Sequence, residues 1–181
     1  MAIMEAIETV YLEVDTASVT FSSLGSYEHL RVMYSARSAS TTGNYYDSIN
    51  LRFATGGGAV DSGSNYTIQQ IYGTGTDSVA GSVATGQTSI YVAGMSDSRS
   101  SPMPNYGQNV LDILDYGNAN KNTSVQSLFA TGSKGVGTTY IILAGGSWDN
   151  TGAVDKVNLT NYSTSNFVRG SEFTLYGIKS S

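Results

Sequence analysis

The chain has 181 residues, of which 40% are hydrophobic and 13% charged, with a formal charge of −5 and a pI near 4.6. That length suits a single domain spanning 1–181, which on folding buries roughly 70% of the surface an unfolded chain exposes. The 9 Lys and Arg are scattered, so no cationic stripe exists to neutralise phosphates, and the absence of Cys excludes disulfides and thiolate zinc sites.

With 21 Gly, 13 Tyr and only 2 Pro, and with Ser, Thr and Asn abundant, the composition favours strands joined by turns over long helices. The N-terminal run Met1 to Glu8 lacks the basic start and continuous apolar stretch of a secretion signal. No segment approaches the length that spans a bilayer, so the expectation is a protein made and kept in a cytoplasm, without membrane or nucleic-acid partners.

Period-two alternation predicts most of the elements. In chain order they are Ile7 to Val14, then Val19 and Phe21, then Leu30, Val32, Tyr34 and Ala36, then Ile49, Leu51 and Phe53. Tyr66 to Tyr72, Ser89 to Met95, Asn109 to Tyr116, Val125 to Phe129, Thr139 to Ala144, Val154 to Leu159 and Phe173 to Ile178 follow, separated by Gly, Asn, Ser and Asp clusters. Met4, Ile7 and Val10, and likewise Val110, Leu111 and Leu114, also recur near a helical period. Both runs are short and flanked by strand-like sequence, so both are read as extended.

About ten strands result, the pattern of an all-β, antiparallel β-sandwich. Polar loops are expected at Ser38 to Ser48, Thr74 to Gly86 and Ser96 to Asn105, long enough for jelly-roll-like crossovers. Glycines after Phe53, after Tyr72 and after Ala144 read as sharp reversals that need positive φ.

Candidate chemistry is sparse. His29 is the only histidine, out of phase with Leu30, and reads as a surface or interface residue. Asp112 and Asp115, with Asp97 and Glu172, are the carboxylates available for glycoside hydrolysis, which needs two carboxyls at a defined separation with different pKa values. A turn or hydrogen-bonding role is the simpler reading of each. Asp61 to Asn65 and Asp149 to Gly152 offer oxygen ligands without EF-hand spacing and read as turns. Gly132 to Thr138 lacks the Gly-Lys-Ser/Thr order of a phosphate loop and reads as a hairpin. Neither a cofactor nor a metal is called for. Trp148 and the tyrosines suit either sugar stacking or ordinary packing, and Tyr34, Tyr140 and Tyr176, lying within strands, favour packing.

The C-terminal stretch Gly170-Ser171-Glu172-Phe173-Thr174-Leu175-Tyr176-Gly177-Ile178 ends the chain on an apolar strand that must be tied into a sheet. Its Gly-Ser-x-Phe-x-Leu-Tyr-Gly-Ile pattern resembles the close of many small structural proteins of tailed phages, common in cyanophages and other marine phages. Ser18 to Leu24, Tyr27 to Ser38, Leu111 to Tyr116 with Asn120 to Thr123 and Ser127, and Gly146-Ser147-Trp148 resemble the same proteins.

The resemblance implies a virion structural protein and carries no catalytic residues. With one compact domain and no fibre shaft, the chain is most similar to capsid cement or decoration proteins. A homotrimer bridging major capsid subunits on the outer capsid surface is then expected, and the alternative is a tail-fibre or receptor-binding domain contacting host glycans. Phe173, Leu175, Tyr176, Gly177 and Trp148 are expected to be fold-defining or interface residues, and residues 1–12 a possible interface strand or arm.

Overall fold

A computed structural model describes residues 3–41, 46–75, 79–96, 105–131 and 139–179. Twelve strands run through them: β1 (Ile3–Tyr11), β2 (Ser18–Phe21), β3 (His29–Ala36), β4 (Tyr46–Thr55), β5 (Tyr66–Thr74), β6 (Val79–Gln87), β7 (Ile90–Ser96), β8 (Gly107–Leu114), β9 (Thr123–Thr131), β10 (Tyr140–Trp148), β11 (Val154–Asn161) and β12 (Glu172–Lys179). Both stretches with a competing helical period are strands, in β1 and β8.

Two antiparallel sheets form, one in the order β1-β12-β3-β8-β9-β10-β5-β6 and one in the order β2-β11-β4-β7. The chain crosses between them from β1 to β2, β2 to β3, β3 to β4, β4 to β5, β6 to β7, β7 to β8, β10 to β11 and β11 to β12. That connectivity is jelly-roll-like, with the β8-β9-β10 meander inserted between β3 and β5.

The core lies between the sheets. Leu30, Val32, Tyr34 and Ala36 of β3 face Ile49, Leu51 and Phe53 of β4, all buried, and the intervening residues point outward. This is the alternation that a strand with one covered face requires. The C-terminal strand does not fray, because β12 is hydrogen-bonded on both sides, to β1 and to β3. The N-terminal segment lies on the chain's own β12 along Ile3–Tyr11.

Two expectations need correction. Thr74 to Gly86 is not a polar loop, since Val79–Gln87 forms β6 against β5. Neither face of β6 is covered, so its sequence carries no alternation, and backbone pairing alone makes it a strand.

Gly73, Gly145 and Gly146 are not reversals either, because β5 runs through Gly73 to Thr74, β10 continues to Trp148, and none of the three takes positive φ. A Cβ on Gly146 would sit 2.5 Å from the Thr67 carbonyl oxygen and 2.7 Å from the Ile90 side chain, so close packing is what requires the glycine. Gly56 and Gly57 do take positive φ, at 62° and 72°. Gly146→Ala is expected to cost about 1–3 kcal/mol. Gly73→Ala, where an added Cβ meets nothing within 4 Å, should shift the urea midpoint little.

Candidate functional site

Of the residues singled out from the sequence, Phe173, Leu175 and Trp148 belong to the core. The Phe173 ring lies 5.4 Å from that of Tyr34 and 5.0 Å from that of Phe167. Trp148 packs between Phe53 and Tyr66, with ring centroids 5.6 and 6.3 Å away, and its Nε1–H donates to Asp61 Oδ2 at 2.7 Å. Gly177 is covered by the Tyr27 ring, which passes 2.3 Å from where a Cβ would stand, so an aromatic face occupies the space its missing side chain leaves. Tyr176 is half-buried on the outward face, opposite Arg31.

Among the described residues, Asp112 and Asp115 are each held by a cation. Asp112 is gripped by Arg31 in a fork, Nε to Oδ1 at 2.6 Å and Nη2 to Oδ2 at 2.9 Å. Asp115 is bonded to the Lys121 ammonium, which, helped by His29, holds its carboxyl below the usual range against a small opposing effect of burial. Glu172 is exposed at the start of β12, and Asp97 and the Gly132 to Thr138 stretch lie outside the described residues.

Glu28, His29 and Asp115 bring ligand atoms within 4.8 Å of one another. Two of these groups are already engaged, because His29 Nδ1 accepts the Asp115 N–H at 3.0 Å and Lys121 neutralises the Asp115 carboxylate. Asp112→Asn, which breaks a half-buried ion pair at the sheet surface, is expected to cost about 1 kcal/mol in urea unfolding.

The Asp61 turn is structural as well. Burial works against ionisation of Asp61, but hydrogen bonds from Asn65, Trp148 and Gly63 outweigh it and hold the carboxyl below its ordinary 3.8. A group whose folded pKa is depressed stabilises the fold above its unfolded pKa and loses that contribution as pH falls through the folded value. Between about pH 5 and pH 3, stability of the natural chain should therefore fall more steeply than that of Asp61→Asn, as urea midpoints at each pH will register.

What remains is a surface. One face of the eight-stranded sheet packs on the smaller sheet, and the other has no covering element among the described residues. Across that outward face, register aligns Thr9, Thr174, Met33, Val110, Leu128, Leu143, Ile71 and Gly81, one residue from each strand from β1 to β6.

Met33, Leu128, Leu143 and Ile71 in this row are 40%, 54%, 45% and 54% exposed, and Ile141 in the next row is 61% exposed. The row carries no charge. Two shallow grooves, each about 500 Å³, flank it: one runs along Ile71, Val83, Leu143 and Gly145, the other along Met33, Val110, Leu128 and Thr174.

Eight strands at roughly 4.8 Å span about 34 Å, and three outward rows add about 20 Å of height. The resulting roughly 700 Å² approaches the ~800 Å² that each partner contributes to a standard interface. Of that area only the central row, from Met33 to Ile71, is apolar throughout, and the flanking rows carry Arg31, Asp112, Gln126, Gln69 and Glu172, an apolar centre with a polar rim of the kind interfaces show.

No family model matches the chain, and no curated protein matches it. The functional reading therefore rests on this open face and on the resemblance carried by the quoted motifs.

Sequence reasoning missed the face. From Met33 to Ile71 each of five strands contributes one apolar residue to the row, with polar outward neighbours such as Gln126 beside Leu128 or Gln69 beside Ile71, so only the register of the five strands reveals a stripe.

Proposed function

We propose that the protein is a non-enzymatic structural component of a tailed-phage virion, a capsid cement or decoration protein. It trimerises and bridges neighbouring major capsid subunits on the outer surface of the head. The observation that carries this reading is the uncharged apolar row at the centre of the open face of the eight-stranded sheet, a face of interface size on a sandwich whose own core is complete without it. A trimer touching several shell subunits gains avidity, because its second and third contacts form at high effective concentration. A composite site present only on the expanded shell would make binding favour the mature lattice by mass action.

Tyr34, Tyr66, Tyr116 and Tyr140 are buried and serve packing, whereas Tyr11 and Tyr162 are 52% and 54% exposed, so glycan binding is the alternative that the test must separate.

The test is binding of the purified protein to expanded empty capsids. Saturable binding at symmetry-related positions is expected, together with a loss on the order of a hundredfold for Leu128→Lys/Leu143→Lys, a variant that charges only exposed positions and keeps the natural urea midpoint. Capsids that do not bind, or binding to host cells that free sugars compete away, would overturn the proposal in favour of a receptor-binding module.

A further inference from the structure

The two edges of the eight-stranded sheet differ in charge. Both edge strands are bulged, β1 between Ala6 and Glu8 and β6 at Thr85–Gly86, where Gly86 takes a φ of 63°. At one end β1 also carries Glu5 and Glu8, which blunt an edge against further pairing. At the other end β6, Val79-Ala80-Gly81-Ser82-Val83-Ala84-Thr85-Gly86-Gln87, has no charge and no proline in nine residues. It pairs only with β5 among the described residues, so one whole row of its backbone N–H and C=O groups faces outward. Val79 and Val83 on β6, at 80% and 73%, are the most exposed large hydrophobic side chains among the described residues.

We infer that the free β6 edge is a self-association site that takes the β6 edge of a second copy of this chain, antiparallel, about a two-fold axis at Val83. Three features select a second copy. The strand has no charge, so placing it against itself sets no like charges opposite one another, whereas the β1 edge would bring glutamates.

The strand is also self-complementary. Antiparallel partners about a two-fold have residue numbers that sum to a constant, and centring on Val83 sets all nine residues opposite one another, with the Thr85–Gly86 bulge of each copy beside Ala80–Gly81 of the other. Val83 then faces Val83, Gly81 faces Thr85, and Val79 faces Gln87. Two such edges, with the ladder broken at each bulge, form on the order of five or six backbone hydrogen bonds, the low end of what a standard interface carries.

Finally, Val83 already lines the groove along Ile71 and Leu143, so pairing would carry the apolar face without interruption from one copy into the next. The contact joins two copies. In a trimer it leaves one such link per subunit, available to connect trimer to trimer, and it requires no capsid.

Because the chain contains no cysteine, single cysteines report the register directly. Mild oxidation of Val83→Cys should give a dimer on a non-reducing gel, since self-facing residues lie about 4.5–5.5 Å apart, within disulfide reach. Val79→Cys alone should stay uncross-linked, whereas Val79→Cys/Gln87→Cys should cross-link. By sedimentation, Val83→Lys should lower the mass of the natural assembly at least twofold and weaken association on the order of a hundredfold, with an unchanged melting curve.

Failure of Val83→Cys to cross-link, equal cross-linking of Val79→Cys alone, or identical masses for the natural chain and Val83→Lys would each overturn the inference. None of these results depends on capsid binding, so the two proposals fail separately.

Discussion

Leu175→Asp is expected to leave the chain unfolded in buffer. Leu175 is fully buried in β12, which is hydrogen-bonded to strands on both sides, so neither a shift in register nor rotation of the strand can bring a carboxylate to water. Loss of the buried side chain alone costs about 2–5 kcal/mol, and an unpaired buried charge adds a penalty of similar size. Together these approach the 5–15 kcal/mol by which domains are held folded. Circular dichroism and urea titration will register the loss of the β signal. A variant that keeps the natural urea midpoint would contradict the placement of β12 inside the sheet.

The second large effect belongs to Trp148. Trp148→Ala removes the ring packed between Phe53 and Tyr66 and strips Asp61 of its indole donor, at an expected cost of about 3–5 kcal/mol. Trp148→Phe, which keeps an aromatic ring but loses the N–H, should cost about half as much. Trp148 is the only tryptophan, so its emission reports its surroundings without interference. The natural chain should fluoresce at the short wavelengths of a buried indole and shift to the red in a single transition on unfolding. An emission already red-shifted in the folded state would place the ring in solvent and contradict the core described above.

How much of this was legible in the sequence depends on where each element gets its order. Leu30, Val32, Tyr34 and Ala36 announce β3 because one face of that strand is covered and the other is wet, and such a difference leaves a period of two. β6 lacks that difference and is held by backbone pairing, so composition alone reads it as a loop. The end of β10 was obscured for another reason. Gly146 is glycine because a neighbouring carbonyl and Ile90 fill its side-chain volume, whereas glycine in sequence more often signals a turn.

The open face was hidden by the same locality. Met33, Val110, Leu128, Leu143 and Ile71 are far apart in the chain, and nothing links them until antiparallel pairing sets them in one line. The aromatic C-terminal pattern was readable because Phe173 and Leu175 follow the two-residue period on a covered face, but their fully buried positions make them part of the core and leave them out of any contact with a partner.

The central claim, that this sandwich cements a phage head, is tested most directly by a reconstruction of mature virions. The account predicts density for the sandwich on the outer shell, repeated at symmetry-related positions between major capsid subunits, with the row from Met33 to Ile71 buried against protein. Density for the same sandwich confined to the tail or its fibres, or seated on the shell with that row facing solvent, would contradict it.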